Sequence, residues 1–385
     1  MKQPGVLLRL RIAHLFFGMM FFYGIEQVFL DKYIGPGSAR GYVTVLYILG
    51  LLVFDIPTGI LADRVGRKKT LLIGCAVLVI SLLILGLSRT LPAYLLGAGL
   101  YGLFIALWNG AAQALLYDWL ASEGDTKSYS RLQGSVYALF LAGAALANFS
   151  SGFMAEAFGL ASPYFISVVP ALLAAVALWG IYEPPLEARD EPVWYHHLRL
   201  VTAGMLNNRQ VMISAIRLMI AEVMVLSIGE FGQIYILSFG ISTVMLGILW
   251  AVNAIVAAGG RSQAHRLQTR PTMFIAIYCL VMAAFIAAEA HYGIALFIVA
   301  YGLNEALANI AETEIQHATK SKVRATTLSV VGFAGNVLAI PIILGYTFIY
   351  TKYGIITANR WVGLSFIVVL LLGSIRLRKR TAAAI

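Results

Sequence analysis

Charge is scarce in this sequence. Only 12% of the 385 residues are Asp, Glu, Lys or Arg, about half the roughly 25% of a soluble domain. That shortage excludes an ordinary water-soluble globule, whose surface needs ionised groups. Cysteine is scarcer still, with two residues in the chain. Cys75 and Cys279 lie inside apolar runs with no pairing or ligand motif, and they read as packing residues rather than as a disulfide or a metal site. The sequence also lacks a phosphate-binding loop, and it has no Ser, His and Asp or Cys and His arrangement with supporting context. An ATP-driven pump and an intramembrane enzyme are disfavoured, and no cofactor is implied.

What is abundant is apolar side chain, at 60% of the chain. It falls in runs of about 20, the length that crosses a roughly 30 Å hydrocarbon core as a helix. The fold class is therefore an all-α polytopic membrane protein, and the runs mark twelve spans. Six lie at Ala13 to Leu30, Val43 to Leu61, Leu71 to Leu87, Ala93 to Tyr117, Leu132 to Met154 and Tyr164 to Ile181. Six more lie at Met212 to Leu237, Val244 to Ala258, Thr272 to Ala288, Ile294 to Ala311, Thr326 to Tyr350 and Val362 to Ile375. Two six-helix halves, 1–182 and 211–385, flank a linker at 183–210. The linker carries Pro184, Pro185 and Pro192 and an interfacial segment with Trp194, Tyr195, His196 and His197. The first run has no cleavage site and is expected to be retained.

The net charge of +10 raises nucleic acid as a partner, but the positions of the bases argue for a bilayer instead. With the amino terminus inside, 22 Lys and Arg fall on the inner side against five outside, namely Lys32, Arg40, Arg89, Lys352 and Arg360, while Arg217 lies within a span. This asymmetry puts both termini in the cytoplasm of a cell whose inner membrane the chain crosses repeatedly. The halves also repeat. "YGLFIALWNGA" from Tyr101 and "YGLNEALANIA" from Tyr301 share seven of eleven residues at an offset of 200. A looser match sets Ala62 and Arg64 over Ala264 and Arg266. A near-constant offset is what a duplicated half-transporter requires.

Polar residues inside spans follow a third period. Span 1 carries Glu26 and Gln27, span 4 Asn109 and Gln113, span 7 Glu222, Glu230 and Gln233, and span 10 Asn304, Glu305 and Asn309. Spans 3, 6, 9 and 12 carry no charge. A charged group at bilayer depth costs at least about 2.5 kcal/mol, so such groups are expected to face a bundle interior or a water-filled cavity. Spans 1, 4, 7 and 10 are thus expected to line a central cavity. Tyr23, Trp108, Tyr301 and Asn336 join its candidate contacts, with Tyr235 and Trp250 as further aromatics. The four acids outnumber Arg217, the one base within a span, and an acidic cavity favours cations and protons. Glu26 and Glu230, 204 residues apart, are the leading candidates to carry coupling protons, with Glu222 and Glu305 in reserve.

The densest charge is in "GILADRVGRKK", Gly59 to Lys69. It resembles the loop between spans 2 and 3 of the major facilitator superfamily, and the resemblance extends over the twelve spans, the long middle loop and the cavity. "DIPTG", "ALLYDWL" and "RATTLS" resemble bacterial drug-exporter-like members. The resemblance implies that Gly59 permits close helix approach and Gly66 a tight turn, while Arg64 and Arg67 hold the loop inside. Asp63 would latch one conformational state against the other half near Arg324. A plain positive-inside loop with an incidental acid is the alternative. His265 stands where Asp63 does in the second half, which makes the latch one-sided. The family's glycine-rich exporter motif is present in part, as Gly143, Ala147, Asn148, Ser151 and Gly152 with Asn in place of proline. Antiport and plain packing both account for it.

The implied function is secondary active transport by alternating access. The specific expectation is proton-coupled export of small amphipathic or cationic compounds by a monomer. A proton-coupled nutrient importer and a non-transporting membrane sensor are the alternatives. Small-molecule substrate, protons and lipid are the expected partners, with neither metal nor nucleic acid.

Overall fold

The computed structural model describes residues 5–35, 39–125, 128–183, 208–319 and 324–381, and within them all side chains except those at 56, 130, 131, 324–326 and 372–381. Fourteen α-helices and no strand occur among the described residues. They are α1 Gly5–Gly18, α2 Glu26–Tyr33, α3 Ala39–Val65, α4 Arg67–Leu87, α5 Leu91–Ser122, α6 Tyr129–Phe158 and α7 Ser162–Trp179. The rest are α8 Arg209–Met224, α9 Gly232–Leu237, α10 Thr243–Leu267, α11 Pro271–Ala287, α12 Tyr292–Ala318, α13 Arg324–Tyr353 and α14 Ile355–Thr381. Among the described residues nine helical stretches are long and apolar enough to cross a membrane, or ten if α3, bent at Pro57, is one span. Pro271–Ala287 and Ile355–Leu371 are shorter apolar helices. The chain is an all-helical, multi-pass membrane protein.

Apolar side chains face outward where the sequence carries no charge. Ile73, Ile80 and Leu87 are exposed along one side of α4, and Met273, Ile277 and Leu280 along one side of α11. In water such faces would drive aggregation; in a bilayer they meet acyl chains.

The chain forms two compact units, Met1–Ala188 with Ile241–Ala254, and Arg189–Gly240 with Ile255–Ile385. In the first unit, the opening span is interrupted. α1 stops at Gly18, a short 3₁₀ turn occupies Phe21–Gly24, and α2 starts at Glu26. The break is held by close packing on α6, where side chains at Gly18 or Gly143 would collide with the facing backbone, and Gly24 abuts Ser151. The Phe21 amide freed by the break donates to Ser167 Oγ at 2.9 Å. In the second unit α8 likewise gives way to a π turn, Val225–Gly229, before α9. Rings fill the space that Gly229 and Gly232 leave, Tyr301 at the first and Phe297 at the second. Interruptions of this kind mark binding regions in membrane helices.

The repeated "YGL" has a structural meaning. Gly102 meets Gly50 of α3 backbone to backbone, and Gly302 meets Val256 and Gly260 of α10 in the same way. Each crossing depends on the absence of a Cβ.

Candidate functional site

In the first unit Glu26 is fully buried and fully partnered. Arg40, itself 3% exposed, forms an ion pair with Oε2. The hydroxyls of Tyr47 and Tyr94 each donate to Oε1 at 2.8 Å, and Tyr94 lies 2.9 Å from the Tyr164 hydroxyl. Both carboxylate oxygens are therefore satisfied and the charge is balanced. Arg40, counted by position among the outer bases, is buried against Glu26. The neighbouring Gln27 is buried and donates to Asp31 Oδ1 at 2.9 Å.

The second unit contains a cavity of about 420 Å³. α8 contributes Leu218, Ala221 and Glu222, and the π turn contributes Val225 and Leu226. Arg261 enters from α10, Glu305, Ala308 and Glu312 from α12, and Leu328, Gly332 and Asn336 from α13. The approach at Gly260 and Gly302 sets this geometry. It brings the next residue of α10, Arg261, beside Glu305, three positions past Gly302. Glu312 is two turns further along the same helical face. Arg261 Nη2 lies 3.1 Å from Glu312 Oε2, and its Nε lies 3.8 Å from Glu305 Oε2. The Glu222 carboxyl forms no hydrogen bond or ion pair among the described residues, and its Oε2 packs toward Gly335. Two carboxyls thus share one guanidinium, and a third, Glu222, borders the same cavity.

This geometry joins four sequence candidates or their neighbours, Glu222, Glu305, Asn336 and Glu312, and separates the others. Glu230 is half-buried just after the π turn and lies outside the cavity lining. Asn304 is buried, donating to the Ala221 carbonyl at 3.0 Å and accepting from the Tyr278 hydroxyl at 3.0 Å. It therefore ties three helices together. Asn309 accepts from Thr313 at 3.4 Å, Tyr301 packs on Gly229, and Gln233 is buried. Those three also lie outside the lining.

In the first unit Tyr23 stacks near Phe22 and Tyr101, with centroids at 4.9 and 6.1 Å. Trp108 sits on Phe17 at 3.9 Å and against His14 at 4.8 Å. Asn109 and Gln113, one turn apart on α5, are exposed. Arg217 pairs with Glu314, 3.4 Å away. It is not the only base within the helices, since Arg40 and Arg261 join it. Sequence reasoning placed Arg261 among the loop charges, and nothing local in the sequence pairs it with the Glu305–Asn309–Glu312 face.

The charged loop is organised around Arg67. Gly66 adopts φ +110°, which only glycine takes without strain, and turns the chain into α4. Arg67 pairs with Asp63 and lies 3.6 Å from Asp118 Oδ2. Its amide, together with that of Lys68, donates to Glu183 beyond the end of α7, an unanticipated partner. Arg64 is exposed and Gly59 has open space where a side chain would project. The exporter-like stretch is a packing surface in this structure: Gly143 faces α1, Ser151 faces Gly24, and Gly152 lies against Thr243 and Val244 of the same unit. The side chains of Arg131 and Arg324, and linker residues 184–207 with His196 and His197, lie outside the described residues.

Comparison with known proteins gives a consistent answer. A stretch of 139 residues is 30% identical to an uncharacterized transporter of Buchnera aphidicola subsp. Schizaphis graminum, covering 36% of this chain and 34% of that protein. Another of 154 residues is 26% identical to multidrug resistance protein 2 of Bacillus subtilis, covering 40% and 37%. The chain thus spans about a third of the length of these curated relatives. Among solved structures, a nucleoside transporter superposes with a TM-score of 0.78 at 16% identity over 97% of this chain and 99% of that one. A D-xylose-proton symporter superposes with a TM-score of 0.77 at 13% identity over 96% of each. The family model described as Major Facilitator Superfamily matches residues 11–345. The chain belongs to the Major Facilitator Superfamily.

Proposed function

We propose that this transporter exports small amphipathic or cationic compounds in exchange for protons, by alternating access of two six-helix halves. The observation that carries the reading is the cavity of the second unit, where Glu222, Glu305 and Glu312 face a single guanidinium. Such a lining attracts cations and repels anions. The partial identity to a Bacillus multidrug resistance protein supports export as the direction. The reading takes α3 as one span and adds the two shorter apolar helices to the longer stretches, for twelve spans and an even topology. Both termini then lie in the cytoplasm of a bacterial cell, with the chain acting as a monomer in its inner membrane.

Glu222 and Glu305 take precedence over Glu26 and Glu230 as proton carriers. Glu222 has no fixed cation, so it can be charged and neutral in turn, whereas Glu26 is locked to Arg40. Asp63, with Gly59, Arg64, Gly66 and Arg67, forms the conformational latch. It shifts populations rather than substrate affinity. Asp63→Asn should lower transport while equilibrium binding stays within about threefold.

Reconstitution in liposomes with an imposed proton gradient tests the whole reading. Accumulation of a cationic dye on the side from which protons flow is expected, and dissipating the gradient should abolish it. Cation movement down the proton gradient would establish symport instead. Saturable binding with no flux would make the protein a sensor.

A further inference from the structure

We propose that Arg261 is the resident counter-ion of the cavity, displaced from Glu305 and Glu312 when a substrate carrying an aliphatic ammonium group binds. The inference rests on the reading of this cavity as the cation site and assigns the group with which substrate competes.

Three observations carry it. Arg261 is about one-third exposed within the cavity and reaches two carboxylates, Glu312 at 3.1 Å and Glu305 at 3.8 Å. The longer contact and the exposure describe a guanidinium that is held but not sealed in. Second, the cavity keeps an acid, Glu222, that Arg261 does not pair with, so the negative charge exceeds what the resident cation neutralises. Third, the rest of the lining is Leu, Val, Ala, Gly and Asn, with no aromatic side chain among the described residues. Cation attraction by a ring face is therefore not supplied here. Carboxylates and alkyl groups together suit a cation with an aliphatic body. Such a cation can take the guanidinium's place at Glu305 and Glu312, and Arg261, on its flexible stem, can swing toward water. An anionic solute can replace none of its contacts and a neutral one brings no charge to the carboxylates, so the same arrangement disfavours both.

The sign of the mutational effect separates this role from a structural one. Removing a tethered competitor leaves three carboxyls without their cation and strengthens attraction for a free one. Removing a mere scaffold loosens the site and weakens binding. The full chain in lipid nanodiscs is titrated calorimetrically with tetraethylammonium, an aliphatic cation whose charge does not depend on pH. Arg261→Gln should tighten binding by at least about threefold, and Arg261→Lys, which keeps the charge, should stay within about twofold of wild type. A second measurement uses the unmodified protein. Reaction of Arg261 with phenylglyoxal, followed by peptide mass spectrometry, should rise when tetraethylammonium saturates the site, because the side chain is released. Weakened or unchanged binding in Arg261→Gln, or protection of Arg261 by the cation, overturns the inference and leaves the cation reading standing. No tetraethylammonium binding to wild type overturns the cation reading itself, and the inference with it.

Discussion

Each unit places a carboxylate on its interrupted first span, and the two are treated in opposite ways. Glu26 receives one guanidinium and two phenolic hydroxyls and has no exposed surface. Glu222 borders an open cavity and shares a single nearby guanidinium with two other acids, without touching it. A buried charge with complete compensation is expensive to disturb and has little reason to change protonation. An undercompensated one retains the capacity to respond to a proton or a cation. The residue type is the same, so the difference lies in the shell. Alike in interrupted spans and glycine crossings, the two units differ in that one holds a closed polar cluster and the other an open acidic cavity.

The strongest way to break the comparison is to uncover Glu26. Arg40→Met removes the cation and leaves a buried carboxylate, a change that costs about 3–5 kcal/mol of stability. Denaturant unfolding in mild detergent should show this, and the double variant Glu26→Gln with Arg40→Met should recover much of the loss. If Arg40→Met unfolds like wild type, Glu26 is not held by charge compensation. A smaller version deletes one hydroxyl in each unit. Tyr94→Phe removes a bond to a carboxylate and should cost about 1.5–3 kcal/mol, against about 0.5–1.5 for Tyr278→Phe, whose hydroxyl meets the neutral Asn304. Equal losses would mean that the charge at Glu26 does not strengthen its cluster.

The other side of the comparison is functional. Glu222→Gln keeps the shape and removes the titratable group. Gradient-driven flux in liposomes should fall at least about tenfold, or 1.4 kcal/mol in the barrier, while unfolding shifts by less than about 0.5 kcal/mol. Glu26→Gln should give the inverse pattern, with lower stability and flux per folded molecule preserved. Loss of coupled flux in Glu26→Gln at normal stability would return the proton to the pair Glu26 and Glu230.

How far the sequence could be read follows from the range of each interaction. Spans were legible because hydrophobic runs and the bilayer thickness share one length scale, and the "YGL" repeat was legible because both crossings require a glycine at the same register. The helix interruptions left weaker marks, Gly18 and Gly24 in one half and Gly229 and Gly232 in the other, which ordinary packing glycines mimic. Pairings across elements left none. Arg40 was counted as an outer base because positive-inside counting assigns charges by loop and is blind to burial. Arg261 was counted as an inner base for the same reason. Glu305 and Glu312 could be placed on one face by their spacing, yet nothing local says that Arg261 reaches them. Glu222 was present as a candidate but ranked below Glu26, because a pattern of acids in spans does not reveal which acids already have a partner.

The smallest expected effect concerns how each unit begins the helix after its charged loop. α11 opens with Pro271 in its first turn, which has no amide to satisfy. α4 opens behind Gly66, with no side-chain cap from the loop itself, and its first amides turn to Glu183 from beyond α7, 3.3 Å from the Lys68 nitrogen. One unit solves the problem locally and the other borrows a carboxylate from more than a hundred residues away, fastening the loop to the end of α7. A carboxylate at a helix N-terminus contributes about 0.3–1 kcal/mol through the amides and the helix dipole, and salt screens part of it. Glu183→Gln should therefore lower stability by that amount at low salt and by less at high salt. Amide hydrogen exchange should accelerate at Arg67 and Lys68 and stay unchanged at the start of α11. Gly66→Ala should cost more than Glu183→Gln, because the added Cβ is strained at φ +110° and meets the Glu183 carboxylate. If exchange at Arg67 and Lys68 is the same in wild type and Glu183→Gln, the cap contributes nothing, and the two loops differ in sequence without differing in how their helices start.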